Sequence, residues 1–297
     1  MADAATGKVR LQARPPLSQL PGEGEVRARA SGENFSVASL LLPRRERAHL
    51  LAIYAYARLV DEIGDAAAGD RLAKLGALEA DLRGLFDAAG QGRASHPVCV
   101  RLASTVAALE LPLAPFLALI EANRQDQEKT SYRSFEELLA YCTLSANPVG
   151  ELVLRVFGLA TPARIALSNS VCTALQLAEH WQDVAEDHAA GRVYLPEEDL
   201  ARFGVSREDL DQAHSGAALA RLLAFEVERA RALLDEGAAL VGTLAGSARI
   251  AVAGYVGGGR ATLEAIARAG YDVLAGPPRA KRRARLAHTV RVYRRGA

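Results

Sequence analysis

Apolar residues recur every three or four positions along most of this chain, and no sustained period-two alternation interrupts them. The pattern predicts helices and no strands. One helix is expected over 44–65 and two amphipathic ones over 70–89 and 94–110, separated by Ala-Gly-Gln-Gly. Pro112 and Pro115 suit the first turn of the next, which runs to about Gln127. Ser134-Phe-Glu-Glu137 reads as a capping box, and the helix it opens carries Pro148 in its interior, where a lost hydrogen bond should kink it. Thr161-Pro162 launches a helix that runs without interruption to about Gly191. Long helices follow over 215–243 and 247–270, the second loosened by Gly257 to Gly259, and a basic helix from about 279 closes the chain.

Before these, Glu33 to Pro43 reads as a short helix, while residues 1–32 mix Pro, Gly and charge without period and are expected to be a disordered arm. Eight or nine helices with no linker between them make residues 33–297 one all-α, single-domain helical bundle.

Composition adds two points. Residues 1–278 hold 28 Lys or Arg against 35 acids, a formal −7, whereas eight Lys or Arg and no acid lie from Arg279 onward. The basic tail is either a solvated helix or a patch drawn to anionic lipid or phosphate; nothing else suggests nucleic acid. Cys99, Cys142 and Cys172 are odd in number and widely spaced, as reduced thiols of a cytoplasmic protein are. The apolar runs 50–60 and 111–120 fall short of the roughly 20 residues needed to span a bilayer, so any membrane contact is expected to be peripheral.

The chemistry is in two acidic clusters. In the segment 175–196, Glu179, Asp183 and Asp187 are four apart and share one stripe of a helix whose other positions are apolar. Asp61 and Asp65 repeat the spacing at the end of the 44–65 helix, with Glu62 beside them and Arg58 one turn before. Both clusters occupy helix C-terminal ends, where the dipole disfavours negative charge, so neither serves helix stability. Facing each other across a bundle, such carboxylates suit Mg²⁺, which takes hard oxygen ligands and shares them with substrate phosphates. A di-iron carboxylate bundle would need Glu-x-x-His twice, and only Glu46 to His49 fits.

These segments resemble the squalene and phytoene synthase family. Tyr-Ala-Tyr-Ala-Arg-Leu-Val-Asp-Glu-Ile-Gly-Asp at 54–65 is similar to its first motif, and Gln-Leu-Ala-Glu-His-Trp-Gln-Asp-Val-Ala-Glu-Asp at 176–187 to its second. The resemblance implies the isoprenoid synthase fold with a central apolar cavity. It also implies two or three Mg²⁺ ions on Asp61, Asp65, Asp183 and Asp187, with Glu62, Glu179 and Glu186 as further candidates. Glu179 stands where many members have Asn. Tyr54 and Arg58, Asn34 and Ser36, and Arg192 with Tyr194 match positions that hold diphosphate. Tyr141, Val149, Gly150, Gln176 and Tyr255 match the prenyl channel.

Ser-Ala-Asn-Pro-Val-Gly at 145–150 and Trp-Gln-Asp-Val at 181–184 are most similar to the hydroxysqualene synthase branch, which hydrates the cation left when diphosphate departs from presqualene diphosphate. There Ser145 and Asn147 are polar where relatives tend to be apolar, and are expected to order a water. Arg58, Tyr141 and Tyr255 complete the expected catalytic set. A presqualene diphosphate synthase, as functional partner, would supply the substrate. Condensation of two farnesyl diphosphates, phytoene synthesis and a non-catalytic prenyl diphosphate scaffold remain alternatives. No Gly-x-Gly-x-x-Gly follows a strand, so no nicotinamide is expected.

Overall fold

The computed structural model describes residues 17, 20, 21, 42–87 and 93–295. Among them twelve α-helices follow one another: α1 (Arg44–Asp65), α2 (Arg71–Phe86), α3 (Pro97–Leu109), α4 (Ala114–Glu128), α5 (Phe135–Ser145), α6 (Asn147–Val156), α7 (Pro162–Gln182), α8 (Val184–Ala189), α9 (Glu197–Phe203), α10 (Ala217–Ala238), α11 (Gly246–Arg268) and α12 (Arg282–Arg295). The expected arm and the short helix before Pro43 fall outside or at the edge of the described residues.

The apolar stripes assemble into two cores. The first gathers α1 to α4: Leu50, Ile53, Tyr56, Leu59 and Ile63 point from α1 toward Phe116 and Ile120 of α4. Tyr56 meets the Phe116 ring edge-on at 5.2 Å and donates its hydroxyl to the Phe116 carbonyl at 3.1 Å, so the ring is buried with its polar atom satisfied. The second core joins α7, α10 and α11 through Leu177, Trp181, Leu222, Leu234 and Val256. Helix α6 belongs to both, with Leu152, Val153 and Val156 in one and Leu154 in the other.

That double role follows from the break before α6. Ala146 separates α5 from α6 and Pro148 sits in the first turn of α6, where its missing N–H leaves no hydrogen bond unmade. The expected kink is therefore a full interruption. The capping box is half formed: Ser134 Oγ accepts from the Glu137 N–H at 3.2 Å, but the Glu137 carboxylate turns to the Arg133 N–H at 2.6 Å and Lys129 Nζ at 2.5 Å.

Three expectations need correction. The helix launched at Thr161 is not continuous to Gly191, because Asp183 adopts φ −105° and ψ 20° and divides α7 from α8. Gly257 to Gly259 do not loosen α11, which runs unbroken; a Cβ on Gly257 would lie 2.5 Å from the Thr289 nitrogen of α12, so glycine is what lets the two helices touch. Nor is the basic helix merely solvated. Val292 is buried, His288 Nε2 lies 2.6 Å from Glu264 Oε2, and Arg249 donates to the Tyr293 carbonyl at 2.7 Å.

One pair of segments comes together with no trace in the periodicity. Ser131 and Val193 form an isolated parallel bridge, with Val193 N–H donating to the Thr130 carbonyl and Glu197 N–H to the Tyr132 carbonyl, both at 2.8 Å. The bridge fixes the loop that carries Arg192 and Tyr194.

Between α9 and α10, Glu226 is fully buried beside Arg229, which reaches it at 3.3 Å and Asp199 at 2.6 Å. Burial pushes the Glu226 carboxyl up to about 8, Asp199 adding to the shift and Arg229 opposing it.

Two measurements check this packing. Gly257→Leu should cost about 1–3 kcal/mol by forcing α12 off α11, read as a lower thermal midpoint; an unchanged midpoint contradicts the close approach. Because the folded chain holds the Glu226 proton to a higher pH than the unfolded chain, stability falls as pH rises from about 4.5 to about 8. Glu226→Gln should therefore gain melting temperature relative to the parent at pH 8 compared with pH 5, and an equal difference at both pH values contradicts the shift.

Candidate active site

Helix α1 ends in acid, and its last turns face the end of α7. Between them lies a polar basin of about 280 Å³ lined by Asp61 and Asp65 from α1 and by Glu179, Asp183 and Asp187 from the α7–α8 segment. The two clusters thus confront one another. Arg192 stands between them, its Nη1 3.1 Å from Asp65 Oδ1. Arg58 approaches Asp61 from outside the basin, Nη1 to Oδ2 3.6 Å.

The basin concentrates negative charge in a confined space, and its carboxyls respond. Burial pushes Asp183 up to about 6, with Glu186 adding and Arg279 opposing. Asp187 rises to about 7, again through burial, with Arg192 opposing and Asp183, Asp65 and Glu186 adding. The contribution of Asp65 to the rise of Asp187 shows the two clusters sharing one field. The break at Asp183 also places Glu186 and Asp187 in the first turn of α8, where the dipole suits acid better than at a helix end.

Helix α4 contributes a third polar tip. Asn123 Nδ2 lies 3.4 Å from Asp61 Oδ1, and Asp126 accepts the Tyr141 hydroxyl at 2.7 Å. Burial lifts Asp126 to about 6, countered by Tyr141 and Arg192 and reinforced by Asp65. His180, inside α7, stacks on Tyr194 with centroids 3.7 Å apart. Burial lowers it to about 3, so it is a neutral ring, with Nε2 3.3 Å from Gln176 Nε2. Sequence reading did not assign Asn123, Asp126 or His180 to the site. The available signal was Asn-x-x-Asp at a third helix end, repeating the placement of the two Asp pairs.

Directly beside the basin is an apolar cavity of about 200 Å³, walled by Val149, Val153, Val171, Leu175, Leu240, Val252 and Tyr255 at the seam of the two cores. Ser145, Gln176 and Glu179 line both spaces, so they mark the passage from one to the other. The Ser145 hydroxyl is buried there and has no hydrogen-bond partner among the described residues. Gly150 lines the apolar wall where a Cβ would sit 2.4 Å from Ser168 Oγ and 2.5 Å from Cys172 Sγ, as its expected close approach requires.

Other expected positions lie elsewhere. Asn147 does not line either space: its Oδ1 accepts from Thr173 Oγ1 at 3.0 Å, which ties the start of α6 to α7. Glu62, Glu186 and Tyr54 are absent from the basin lining. Tyr54 stands one turn before Arg58 on α1. Asn34 and Ser36 fall outside the described residues.

The facing carboxylates offer oxygen donors, which fit a hard divalent cation, while His180 in the same lining is engaged by Gln176 and Tyr194. Among the described residues no three His, Cys, Asp or Glu converge closely enough to hold an ion by themselves. Magnesium bound through one or two carboxylates, water and substrate phosphate needs no such convergence.

The squalene/phytoene synthase family profile matches residues 28–288. Hydroxysqualene synthase from Sinorhizobium fredii is 36% identical over 213 residues, 70% of either chain, and phytoene synthase from Mycobacterium bovis is 35% identical over 208 residues, 68% of this chain and 67% of that one. The crystal structure of squalene synthase HpnC from Alicyclobacillus acidocaldarius superposes with a TM-score of 0.77 at 43% identity, covering 86% of this chain and 98% of that one. The all-α isoprenoid synthase architecture expected from the motifs is the one these helices adopt. Since the matched region takes in both acidic helix ends and the broken helix between them, the chain belongs to the squalene/phytoene synthase family.

Proposed function

We propose that this protein converts presqualene diphosphate and water to hydroxysqualene and diphosphate. The observation that carries the reading is the junction of the two spaces: a basin of opposed carboxylates for a diphosphate opens, past Ser145, Gln176 and Glu179, onto an apolar cavity for a prenyl chain. The relatives named for hydroxysqualene and squalene synthesis, at 36% and 43% identity, support that branch.

Asp61, Asp65, Asp183 and Asp187 would hold Mg²⁺, which when bound neutralises the charge of the leaving diphosphate. Arg192, pinned by the Ser131–Val193 bridge and held toward Asp65, adds fixed positive charge on the same side. The carbon–oxygen bond to diphosphate breaks with its electron pair staying on oxygen. Apolar walls then keep bulk water from the rearranging cation, while the Tyr255 ring, itself in that wall, offers its face to the positive charge. Ser145 accepts a hydrogen bond from one water at the passage, whose oxygen bonds to carbon as its surplus proton passes to the departing diphosphate. Asn147, held by Thr173, keeps the α5–α6 break in place and so positions Ser145.

A second reading has its own support, since the phytoene synthase relative is 35% identical. Product analysis separates the two, and presqualene diphosphate synthesis as well. With presqualene diphosphate and Mg²⁺, a tertiary alcohol is expected. Unchanged substrate, alongside consumption of farnesyl diphosphate or of a C40-forming donor, reassigns the reaction.

Asp183→Asn should lower kcat by about a thousandfold or more by removing charge from the basin, with the thermal midpoint retained; turnover within tenfold of the parent contradicts the role. Ser145→Ala should keep substrate consumption within roughly tenfold while the product shifts from alcohol to eliminated alkene. An unchanged alcohol fraction, by mass spectrometry, takes the water away from Ser145.

A further inference from the structure

Helix α12 packs on α11 through Val292, His288 and Thr289, and turns a different face outward. On that face Leu286, Val290 and Tyr293 recur at i, i+4 and i+7, so they form one stripe along the helix. All three are exposed, Leu286 at 64%, Tyr293 at 41% and Val290 at 40%. Large apolar side chains lined up in water have no folding purpose here, because the core side of the helix is already covered.

The surroundings of the stripe state what it fits. On a helical projection Arg282, Arg283 and Arg294 flank it, and none of the three forms an ion pair among the described residues. No acid occurs from Arg279 to the end of the chain. Arg249 on α11 lies over the Tyr293 ring at 4.8 Å, and its neighbour Ile250 is itself 37% exposed, so cation and apolar surface continue beyond α12. A protein partner could cover an apolar stripe, but one bordered on both sides by unpaired arginines requires a partner that is apolar within and uniformly anionic at its surface.

We propose that α12 is an interfacial docking helix that lies flat on an anionic membrane, with Leu286, Val290 and Tyr293 among the acyl chain ends of the headgroup layer and Arg282, Arg283 and Arg294 on lipid phosphates. Tyr293 suits this boundary because its ring is apolar and its hydroxyl is polar. No helix among the described residues is long and apolar enough to cross a bilayer, so the contact is reversible and electrostatic in part. The docking stands whichever prenyl diphosphate the basin takes.

The test is flotation of the full chain with phosphatidylcholine vesicles, with and without phosphatidylglycerol. The protein should float only with the anionic vesicles and should be released by salt. Replacing Arg282, Arg283 and Arg294 together by Gln should weaken partitioning roughly a hundredfold, and Leu286→Ser with Val290→Ser should weaken it at an unchanged melting temperature. Deleting the tail is the poorer variant, since it strips Val292 and His288 from α11. Failure of the parent to float, or flotation of both variants like the parent, overturns the proposal. So does a dimer, seen by sedimentation, that the Leu286→Ser, Val290→Ser variant dissolves without any vesicle binding, which assigns the stripe to a second copy.

Discussion

Carboxylates repel, and this protein brings six of them, from α1, α4 and the α7–α8 segment, to the wall of one small basin. The rest of the structure is arranged so that this can persist. Two apolar cores hold the helix ends that carry the acids, and they reach the gap between them only through Leu119, Tyr141 and Tyr194. Against burial energies of a few kcal/mol per large side chain, the repulsion is tolerable without an ion. Burial first, and neighbouring acids after it, raise the carboxyls of Asp183 and Asp187. Arg192 offsets only part of that negative charge.

Interruptions of regular helix do the fine placement. Ala146 and Pro148 let α6 join both cores, which opens the seam that becomes the apolar cavity and leaves the Ser145 hydroxyl at its mouth without a partner among the described residues. The turn at Asp183 restarts the helix and improves the electrostatic setting of Asp187. A single bridge between Ser131 and Val193 brings Arg192 to Asp65, far away in sequence. In each case a backbone irregularity sits beside a polar group facing the basin or the passage, which is where departures from local preference are expected to concentrate.

Position along the bundle also gives the chain an inner apolar cavity and an outer apolar stripe. The same helix, α11, carries Val252 and Tyr255 into the cavity wall and holds α12 on its other side through Gly257. The apolar pocket and the exposed apolar stripe of α12 are therefore separated by one helix. The proposed chemistry on a prenyl chain and the proposed contact with lipid would be neighbours in this architecture.

Much of this was legible in the residues. The 3.6 period with its caps and prolines gave the helices, because helix formation is local and its signals lie within a few positions. Asp61, Asp65, Asp183 and Asp187 stood out because the same spacing appeared twice at helix ends. What only the tertiary structure decided depends on long-range contact. Asn123 and His180 are ordinary core-helix residues until α4 and Tyr194 are packed beside them. Asn147 looked like a water-binding group, yet Thr173, on a helix 26 positions further along, claims its oxygen. The basic tail gave its charge in the sequence but not its orientation: which side of α12 faces outward was fixed by where α11 lets it dock.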